Sequence, residues 1–455
     1  MPEPNWQTIE ELAPQIALGQ LSAERLTEEC LNAIRDRDRR LNAFITVCGE
    51  QALAEARRAD TDVRAGRYRG PLHGIPISVK DLVDVAGLAT TAASRVRQGH
   101  VAGADALVVA RLREAGAIVI GKTNLHEFAY GTTSEDSAFG PARNPLDPDR
   151  SPGGSSGGSA ASIAAGMSIA SVGTDTGGSI RIPAAACGTV GLKPTLGEVP
   201  CGGVVPLSRS LDHVGPLARS VADAWMLFEA MAGHAKTTGP RDAAAASGER
   251  PSLAAPRPYF FDVLDSGVRD VIEAALGRLS SAGFAVEEAA IAHAGDAPAI
   301  YLHVQLPESS AYHASVVDER PEDYTPPVRL RLELGRYVLA EDYARAQRGR
   351  EVLRMEVDAA LDGHAALVLP TLPIPAPLLG QSIVNVGGAD WPVRSMMLRL
   401  TQVFNLTGHP AITLPCGRTP SGLPCGLQLV GRRGATVDLL RVALACERTL
   451  RAAQQ

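Results

Sequence analysis

The chain has 455 residues, of which 45% are hydrophobic and 21% charged, so it contains enough apolar material for a large core. A net charge of −6 and an aromatic content of 4% argue against phosphate-backbone binding and base stacking as its main activity. The sequence lacks the basic and apolar regions of a secretory signal, and no apolar run approaches the roughly 18 residues of a membrane span. The seven cysteines form no CxxC pair and the ten histidines form no HExxH pattern. We therefore predict a reduced, cytoplasmic protein without metal, cofactor, membrane contact or nucleic-acid partner.

The N-terminal part of the chain is predicted to be helical and to lead into a strand. Ser22 is placed to cap a helix that runs to about Arg37, and residues 51–65 form another helical stretch. Residues 75–85 are rich in β-branched side chains and alternate in polarity, which predicts a strand with Lys80 inside it.

Helices and strands alternate through the next part of the chain. Residues 105–115 predict a helix, residues 118–120 a short strand, and Asn124 a cap for the helix that follows. Ser220, with Asp223 three residues later, resembles a capping box at the start of an apolar helix. The alternation predicts an α/β fold in which helices cover both faces of a central mixed β-sheet.

The C-terminal half contains the best candidate loop. Residues 235–252 are rich in Ala, Gly, Pro and Ser, and we interpret them as a surface excursion within one domain. Further helices are predicted near residues 267–282 and 340–361. Residues 364–377 begin as a strand that breaks at its prolines and leads into a loop-rich stretch through Trp391.

Lysine is rare in this chain. Of the 44 basic residues only four are lysines, at positions 80, 122, 193 and 236. Arginine keeps its proton in a protein, whereas a buried lysine can be driven towards neutrality and act as a base. Lys80, in the apolar run HGIPISVKDLVDV, is therefore a candidate catalytic base. For Lys122 a structural ion pair is the preferred interpretation.

Two glycine-flanked serines, Ser155 and Ser179, lie in separate turns of residues 151–195, a segment without histidine. An unassisted serine hydroxyl is a poor nucleophile near neutral pH, so a catalytic serine needs a base close by. With Lys80 upstream, the pattern predicts a hydrolase built on Lys–Ser–Ser rather than on Ser–His–Asp.

The first serine turn, residues 153–158, admits other interpretations. A flexible linker would not need the helix-compatible SAASIAAG that follows, and a phosphate cradle would need Gly-Lys-Ser/Thr. The turn matches G-x-S-x-G at Ser155 and Ser156, but a nucleophile elbow needs a strand immediately before the serine. The prolines and charged residues of the preceding ARNPLDPDRSP disfavour a strand. The second turn, residues 173–179, contains consecutive glycines whose N–H groups can stabilise the oxyanion of acyl transfer.

Together these motifs resemble the amidase signature family, the Ser–cisSer–Lys hydrolases. The resemblance spans most of the chain and is carried by PLHGIPISVKD, GKTNLHEFAYG, GGSSGGS, GTDTGGSIRIPAAACGTVGLKPT, FNLTGHPAITLPCG and GLPCGLQLVG. It implies that residues 1–455 form one domain. N-terminal helices would cover residues 1–70, a catalytic core 71–230, a variable substrate-side region 235–395 and a C-terminal return to the core 396–455.

The resemblance also implies the catalytic roles. Ser179 would be the nucleophile, Ser155 would relay its proton, and Lys80 would accept that proton. In this family the peptide link between the residue at position 155 and its neighbour is cis. Burial has to lower the pKa of Lys80 for this task. The oxyanion hole would be formed by the backbone N–H groups of Thr176, Gly177, Gly178 and Ser179.

Further residues are assigned to support and to substrate binding. Those expected to support the site through hydrogen bonds are Ser156, Asp175 and Arg181. For Arg181 a purely structural ion pair is nearly as good an interpretation. The residues expected to contact substrate are Phe128, Tyr130, Gly131, Thr132, Gly203, Gln305 and Tyr312.

The implied activity is hydrolysis of the carboxylic amide bond of a small molecule through an acyl-enzyme. A carbamate presents the same carbonyl to the same nucleophile, so urethane or ester cleavage is related chemistry. The alternative is the glutamine-hydrolysing component of a tRNA-dependent amidotransferase complex, which would require partner subunits. We expect a monomer or a homodimer.

Overall fold

The structure is a computed structural model that describes residues 7–234, 239–240 and 251–452. Most of the loop predicted at residues 235–252 therefore lies outside the described residues. The helices are α1 (Ile9–Ala17), α2 (Ala23–Leu41), α3 (Gly49–Arg64), α4 (Leu107–Glu114), α5 (Gly157–Ala164), α6 (Arg181–Cys187), α7 (Val221–Ala232), α8 (Arg257–Phe260), α9 (Ser266–Ser281), α10 (Ala297–Glu319), α11 (Pro326–Gly335), α12 (Ala340–Ala360), α13 (Val393–Arg399), α14 (Gln402–Leu406) and α15 (Thr436–Ala452). The strands are β1 (Phe44–Val47), β2 (Pro76–Lys80), β3 (Ile118–Thr123), β4 (Ala170–Asp175), β5 (Val190–Lys193), β6 (His213–Ala218), β7 (Leu253–Pro256), β8 (Val286–Ala289), β9 (Ala366–Pro370), β10 (Ile383–Val386), β11 (Ala389–Pro392), β12 (Ala411–Arg418) and β13 (Pro424–Val430).

One large sheet organises the described residues. It contains 11 strands in the order β1-β3-β2-β4-β6-β5-β12-β13-β9-β7-β8. β2 runs parallel to β3 and β4, and β7 runs parallel to β8 and β9, whereas β12 is antiparallel to β5 and β13. Helix α5 packs against β2 and β4, and α6 packs against β5 and β13. The predicted α/β fold with a mixed sheet covered by helices is confirmed.

The strands that carry the candidate site are buried along their whole length. Every residue of β2 and of β4 is buried, as expected for parallel strands covered on both faces. β2 nevertheless contains two polar side chains, Ser78 and Lys80, and a buried polar group needs a hydrogen-bond partner. The Ser78 hydroxyl donates to Ser171 Oγ on β4 at 2.9 Å. Lys80 finds its partners at the end of the strand.

The helices predicted at α2, α3, α4, α9 and α12 are confirmed. Ser22 begins α2 and accepts a hydrogen bond from Arg25 N, and the helix continues to Leu41. Helices α3, α4, α9 and α12 begin and end within two residues of the predicted bounds. These elements combine an apolar periodicity with capping residues, which is why local sequence was enough to identify them.

The start of α7 also ties the N-terminal helix to the rest of the chain. Ser220 accepts a hydrogen bond from Asp223 N at 3.0 Å, as predicted for a cap. The Asp223 carboxylate accepts from Ile9 N at 2.9 Å and so satisfies a donor in the first turn of α1. One carboxylate therefore joins two helices that are distant in sequence.

The strand predicted over residues 75–85 is wrong beyond Lys80, where β2 ends. The chain turns there because Asp81 N donates to Thr123 O at 3.1 Å and the Asp81 carboxylate accepts from Thr91 N at 3.0 Å. The β-branched residues that follow are buried in the core without extending the sheet ladder. Their hydrophobicity reflects packing rather than strand pairing.

The helix cap predicted at Asn124 is also wrong. Its amide donates to the carbonyl groups of Asn42 and Gly140, each at 3.0 Å, and only a short 3-10 turn, Glu127–Ala129, follows. The Asn124 side chain thus connects two loops by hydrogen bonds instead of capping a helix. The loop-rich stretch before Trp391 contains the hairpin β10–β11, which the sequence did not predict.

The turn before β2 has little space for a side chain. Gly74 has a φ of +79°, and a Cβ at this position would lie 2.8 Å from Ala23 Cβ. We expect Gly74→Ala to lower the free energy of unfolding by about 2–4 kcal/mol, because a strained backbone and a steric clash both contribute. Gly66→Ala is the matched control: its φ is +74° and nothing lies within 4 Å of the added Cβ. It should cost only about 1 kcal/mol. Urea unfolding measures both losses, and equal losses would show that the contact with Ala23 does not constrain this turn.

Candidate active site

Two parallel strands bring the predicted catalytic residues to one edge of the sheet. β2 ends at Lys80 and β4 ends at Asp175, and the two strands run side by side in the same direction. Ser155 lies in the turn before α5, and Ser179 lies in the turn between β4 and α6. Because the carboxyl ends of parallel neighbours meet at the same edge, the turns around them can form one site.

Lys80 is fully buried, and its amine contacts hydroxyl groups. Nζ lies 2.7 Å from Ser155 Oγ and 2.7 Å from Thr174 Oγ1. Burial lowers the pKa of Lys80 to about 7, although the charges of Asp175 and Asp212 favour the ammonium form. Near neutral pH a large fraction of this amine is therefore uncharged and can accept a proton.

The other two buried lysines have different surroundings. Lys122 Nζ lies 2.8 Å from Asp81 Oδ1 with both side chains fully buried, which confirms the predicted ion pair. Lys193 Nζ lies 3.1 Å from His213 Nε2. Among the lysines that the structure describes, Lys80 alone contacts a serine hydroxyl.

The first serine turn is fixed through its backbone. The Gly154–Ser155 peptide bond is cis. Ser155 O accepts hydrogen bonds from His126 N at 3.1 Å and from Ser134 Oγ at 3.2 Å. A Cβ on the preceding glycine would lie 2.8 Å from the carbonyl carbon of Thr132, so the turn packs directly on that backbone. Thr132, assigned to substrate binding from the sequence, here supports the turn.

Ser156 joins the two serine turns. Its N–H donates to Ser179 O at 3.2 Å, and its hydroxyl donates to Thr174 O at 3.2 Å. Thr174 is also the second hydroxyl contact of the Lys80 amine. The supporting role assigned to Ser156 thus corresponds to a physical link between the turns and the base.

The turn after β4 presents unpaired backbone donors beside Ser179. Across the described part of the chain we find no acceptor for the N–H groups of Gly177, Gly178 and Ser179. Gly177 O accepts from Thr401 Oγ1 at 2.6 Å, which holds the turn through its carbonyl side. Buried N–H groups without partners are rare, and a set of them beside a hydroxyl is suited to bind an oxyanion.

Asp175 and Arg181 form a buried clamp at the base of this turn. Arg181 Nε and Nη2 lie 3.0 Å from different oxygens of the Asp175 carboxylate, and both side chains are fully buried. Arg181 Nη1 donates to Thr401 O at 3.0 Å and to Gln428 Oε1 at 2.6 Å. Burial by itself would raise the pKa of Asp175, but Arg181 holds it well below its usual value. Because each guanidinium nitrogen is engaged within the protein, Arg181 positions the turn.

A second carboxylate, Asp212, holds the turn at Thr176, the residue after Asp175, and was not identified from the sequence. Thr176 Oγ1 donates to Asp212 Oδ1 at 2.6 Å, and Leu207 N donates to Asp212 Oδ2 at 3.0 Å. Ser208 N also donates to this carboxylate at 3.1 Å, and Ser208 Oγ donates to Glu308 Oε2 on α10 at 2.7 Å. No sequence motif identifies Asp212 or Glu308, because their hydrogen bonds join residues that are 36 and 100 positions apart in the chain.

The predicted substrate-binding residues fall into separate groups. Gln305 Nε2 donates to Ser309 Oγ at 3.3 Å, and Ser309 Oγ donates to Tyr130 Oη at 3.2 Å. Phe128 and Tyr312 line a different cavity, of about 480 Å³. The structure therefore does not bring the whole set to one surface.

The two predicted substrate-binding glycines are closely packed. A Cβ on Gly131 would collide with the His126 ring, and a Cβ on Gly203 would lie 2.6 Å from Ala106 Cα. Both glycines are therefore required by close approach of neighbouring residues.

Two cavities lie beside the catalytic residues. One, of about 110 Å³, is lined by Thr174, Thr176 and Asp212 among others. The other, of about 310 Å³, is lined on one side by Tyr301. A Cβ on Gly177 would lie 2.7 Å from Tyr301 Oη, so Tyr301 both lines this second cavity and packs against the turn with the unpaired N–H groups.

Metal-binding clusters and membrane-spanning helices are both absent from the described residues. They contain no cluster of three or more His, Cys, Asp or Glu side chains that could hold a metal ion. None of their helices is both long enough and apolar enough to cross a membrane.

Comparison with known proteins gives consistent matches along the chain. A family model described as Amidase matches residues 25–440. An amidase of Pseudomonas putida is 40% identical over 97% of this chain and 95% of its own length. The A subunit of the glutamyl-tRNA(Gln) amidotransferase of Symbiobacterium thermophilum is 38% identical over 94% of each chain.

Solved structures agree with these matches. A crystal structure described as an amidase superposes with a TM-score of 0.92 at 38% identity, covering 98% of this chain and 100% of the other. The peptide amidase PAM, in complex with the competitive inhibitor chymostatin, superposes with a TM-score of 0.84 at 32% identity, covering 98% of each chain.

The hydrogen bond from Thr176 to Asp212 predicts a positioning role that kinetics can separate from folding. Burial raises the pKa of Asp212 to about 6, and the Thr176 hydroxyl favours its charged form. We expect Thr176→Val to lower kcat about tenfold with little change in KM, because a charge-assisted hydrogen bond contributes about 1.5–3 kcal/mol and its loss loosens the turn.

The matched control is Thr449→Val, whose hydroxyl donates to Ala445 O within α15. In parallel with kcat, Thr176→Val should weaken binding of a trifluoromethyl ketone, which forms an oxyanion, but not binding of an uncleaved substrate analogue. Equal weakening of both ligands would contradict the positioning role.

Proposed function

The chain belongs to the amidase signature family and is an amide-bond hydrolase, and we propose that it cleaves its substrate through an acyl-enzyme on Ser179. Ser155 and Lys80 form the proton relay in this proposal, and the backbone N–H groups of residues 176–179 bind the oxyanion. The observation that carries the proposal is the 2.7 Å contact between the fully buried Lys80 Nζ and Ser155 Oγ. A lysine whose pKa lies near 7 can serve as a base at neutral pH.

In acylation the Ser179 hydroxyl attacks the amide carbon while its proton passes to Ser155, whose own proton passes to the Lys80 amine. The substrate oxygen becomes negative as the tetrahedral intermediate forms, and the backbone N–H groups stabilise it. The Lys80 ammonium then returns a proton through Ser155 to the leaving nitrogen, and the C–N bond breaks. Water attacks the acyl-enzyme along the same proton route and restores the Ser179 hydroxyl.

Thr174 orients the base in this mechanism. A neutral amine has two N–H donors and one lone pair, and Thr174 Oγ1, at 2.7 Å, is an acceptor for one of the donors. Occupying that donor leaves the lone pair of Lys80 directed towards Ser155. Thr174 is therefore a positioning residue for the relay.

The proposed substrate is a small-molecule amide, and the proposed enzyme is a cytoplasmic monomer or homodimer. Carbamates and esters offer the same electrophilic carbonyl, so we propose urethane and ester cleavage as accompanying activities. One relative is a component of a glutamyl-tRNA(Gln) amidotransferase, which makes glutamine the substrate of the alternative function. To rank these substrate classes, the rates at which the purified chain hydrolyses aliphatic amides, aryl amides, carbamates and glutamine should be compared. Glutaminase activity together with copurifying partner proteins would favour the alternative.

Replacing the proposed nucleophile should abolish acylation. We expect Ser179→Ala to reduce kcat by roughly 10⁴-fold or more, since removing a catalytic serine disables the whole relay. Mass spectrometry after treatment with a fluorophosphonate should show one adduct on the wild-type chain and none on the variant. Cys187→Ala is the control, because burial raises the pKa of this thiol and its Sγ lies 3.4 Å from Pro152 O. It should keep both turnover and the adduct; an adduct on Ser179→Ala would identify another nucleophile.

The neutral-lysine role predicts the direction of the pH dependence. Below about pH 7 the Lys80 amine is protonated and cannot accept a proton, so kcat/KM for an uncharged amide should rise with pH through 7 and then level off. Lys80→Arg should be nearly as inactive as Lys80→Met, because a guanidinium does not give up its proton. The measurement is kcat/KM from pH 5 to 9, and a flat profile or an active Lys80→Arg variant is incompatible with this role.

A further inference from the structure

The cavity of about 310 Å³ lined by Tyr301, near the turn between β4 and α6, carries positive charge without a matching acid. Its described lining includes two arginines, Arg394 and Arg399, and no aspartate or glutamate. The rest of the lining is largely aromatic and apolar, with Tyr301, Trp391 and Leu398 among its residues. A partly buried guanidinium normally has an acidic partner, so the cavity is complementary to an anion.

Arg399 has its partners within the protein. Its Nη2 donates to Tyr259 O at 3.1 Å, and its Cζ lies 4.0 Å from the Tyr259 ring centre and 5.9 Å from that of Trp391. These contacts hold the Arg399 side chain against the cavity wall. Its guanidinium thus has one hydrogen-bond acceptor and two aromatic contacts within the protein, although its Nε is buried without an acceptor.

Arg394 has no such partners. Across the described residues we find neither a hydrogen bond nor an ion pair for its guanidinium, and its Nε is buried without an acceptor. Its charge also acts on a second guanidinium: burial and the charge of Arg394 lower the pKa of Arg331 to about 10, although Tyr130 and Asp136 act in the opposite direction. Two like charges in partly buried positions repel each other, and a bound anion would relieve that repulsion.

We propose that Arg394 binds a carboxylate of the substrate, so that the preferred substrates are amides with a free carboxylate on the group that fills this cavity. The proposal deepens the function proposed above and rests on it. A guanidinium fork matches a carboxylate through two parallel hydrogen bonds, and the aromatic wall covers the chain that links the carboxylate to the amide. Glutamine fits less well, because its ammonium group would find no acid in the described lining of the cavity.

The test compares matched amides with and without a carboxylate. Adipic acid monoamide and hexanamide differ in a carboxylate on the acyl side, and N-hexanoyl-β-alanine and N-propylhexanamide differ in one on the amine side. In at least one pair the wild-type chain should prefer the carboxylate. Arg394→Gln should lower kcat/KM for that substrate about 10- to 100-fold, chiefly through KM, because a hydrogen-bonded charge is lost. Turnover of the neutral partner should stay near the wild-type value.

Two variants complete the design. Arg394→Lys keeps the charge but not the fork, so it should retain part of the preference. Arg345→Gln removes an exposed arginine that pairs with Asp342 at 2.9 Å on α12, and it should change nothing. Equal losses for the charged and the neutral substrate in Arg394→Gln, or no preference in either wild-type pair, would overturn the proposal.

Binding without turnover separates this proposal from the catalytic one. Calorimetric titration of Ser179→Ala with adipic acid monoamide and N-hexanoyl-β-alanine measures affinity for the carboxylate, whatever residue performs catalysis. Tighter binding of either compound than of its neutral partner, lost on adding Arg394→Gln, supports the carboxylate site even if Ser179 is not the nucleophile. Absence of that difference rejects the site even if Ser179 is the nucleophile.

Discussion

The chemistry proposed for this protein depends on a lysine amine that is removed from water and contacts two hydroxyl groups. A buried ammonium is costly unless a carboxylate compensates it, and Lys122 shows that compensation in its contact with Asp81. Lys80 contacts Ser155 and Thr174 instead, so burial shifts its equilibrium towards the uncharged amine. The same fold thus uses one buried lysine as a structural cation and provides another that can act as a base. The difference lies in the groups that surround each amine.

The turn between β4 and α6, proposed to bind the oxyanion, is held by two carboxylates, the buried Asp175 and the partly buried Asp212. Asp175 fixes its beginning through the clamp with Arg181, and Asp212 fixes Thr176. Their electrostatic states differ, because Arg181 keeps the pKa of Asp175 low whereas burial raises that of Asp212. The N–H groups of Gly177, Gly178 and Ser179 follow directly in this turn and have no acceptor among the described residues. Such preorganised donors require no rearrangement when negative charge develops on the substrate.

We expect selectivity to depend on the surface near that turn. The cavity whose wall includes Tyr301 combines aromatic side chains with guanidinium groups, one of which is already engaged by the protein. The proposed catalytic groups act on the carbonyl alone, so we expect discrimination between substrates to come from such neighbouring contacts. An arginine without a partner is the feature of this cavity that most restricts what can fill it.

The sequence by itself determined the reaction class, because its chemistry is carried by short motifs. The serines lie in glycine-rich turns, and Lys80 is one of very few lysines, so local composition was enough to single them out. Capping residues and apolar periodicity also predicted helices α2, α3, α9 and α12. They predicted a helix cap wrongly at Asn124, whose side chain instead forms hydrogen bonds to two distant loops. Only the tertiary structure could reveal Asp212, Glu308 and the unpartnered Arg394. A hydrogen bond between residues 100 positions apart produces no periodic pattern in the sequence. Whether a side chain lacks a partner can be known only once the positions of all its neighbours are known.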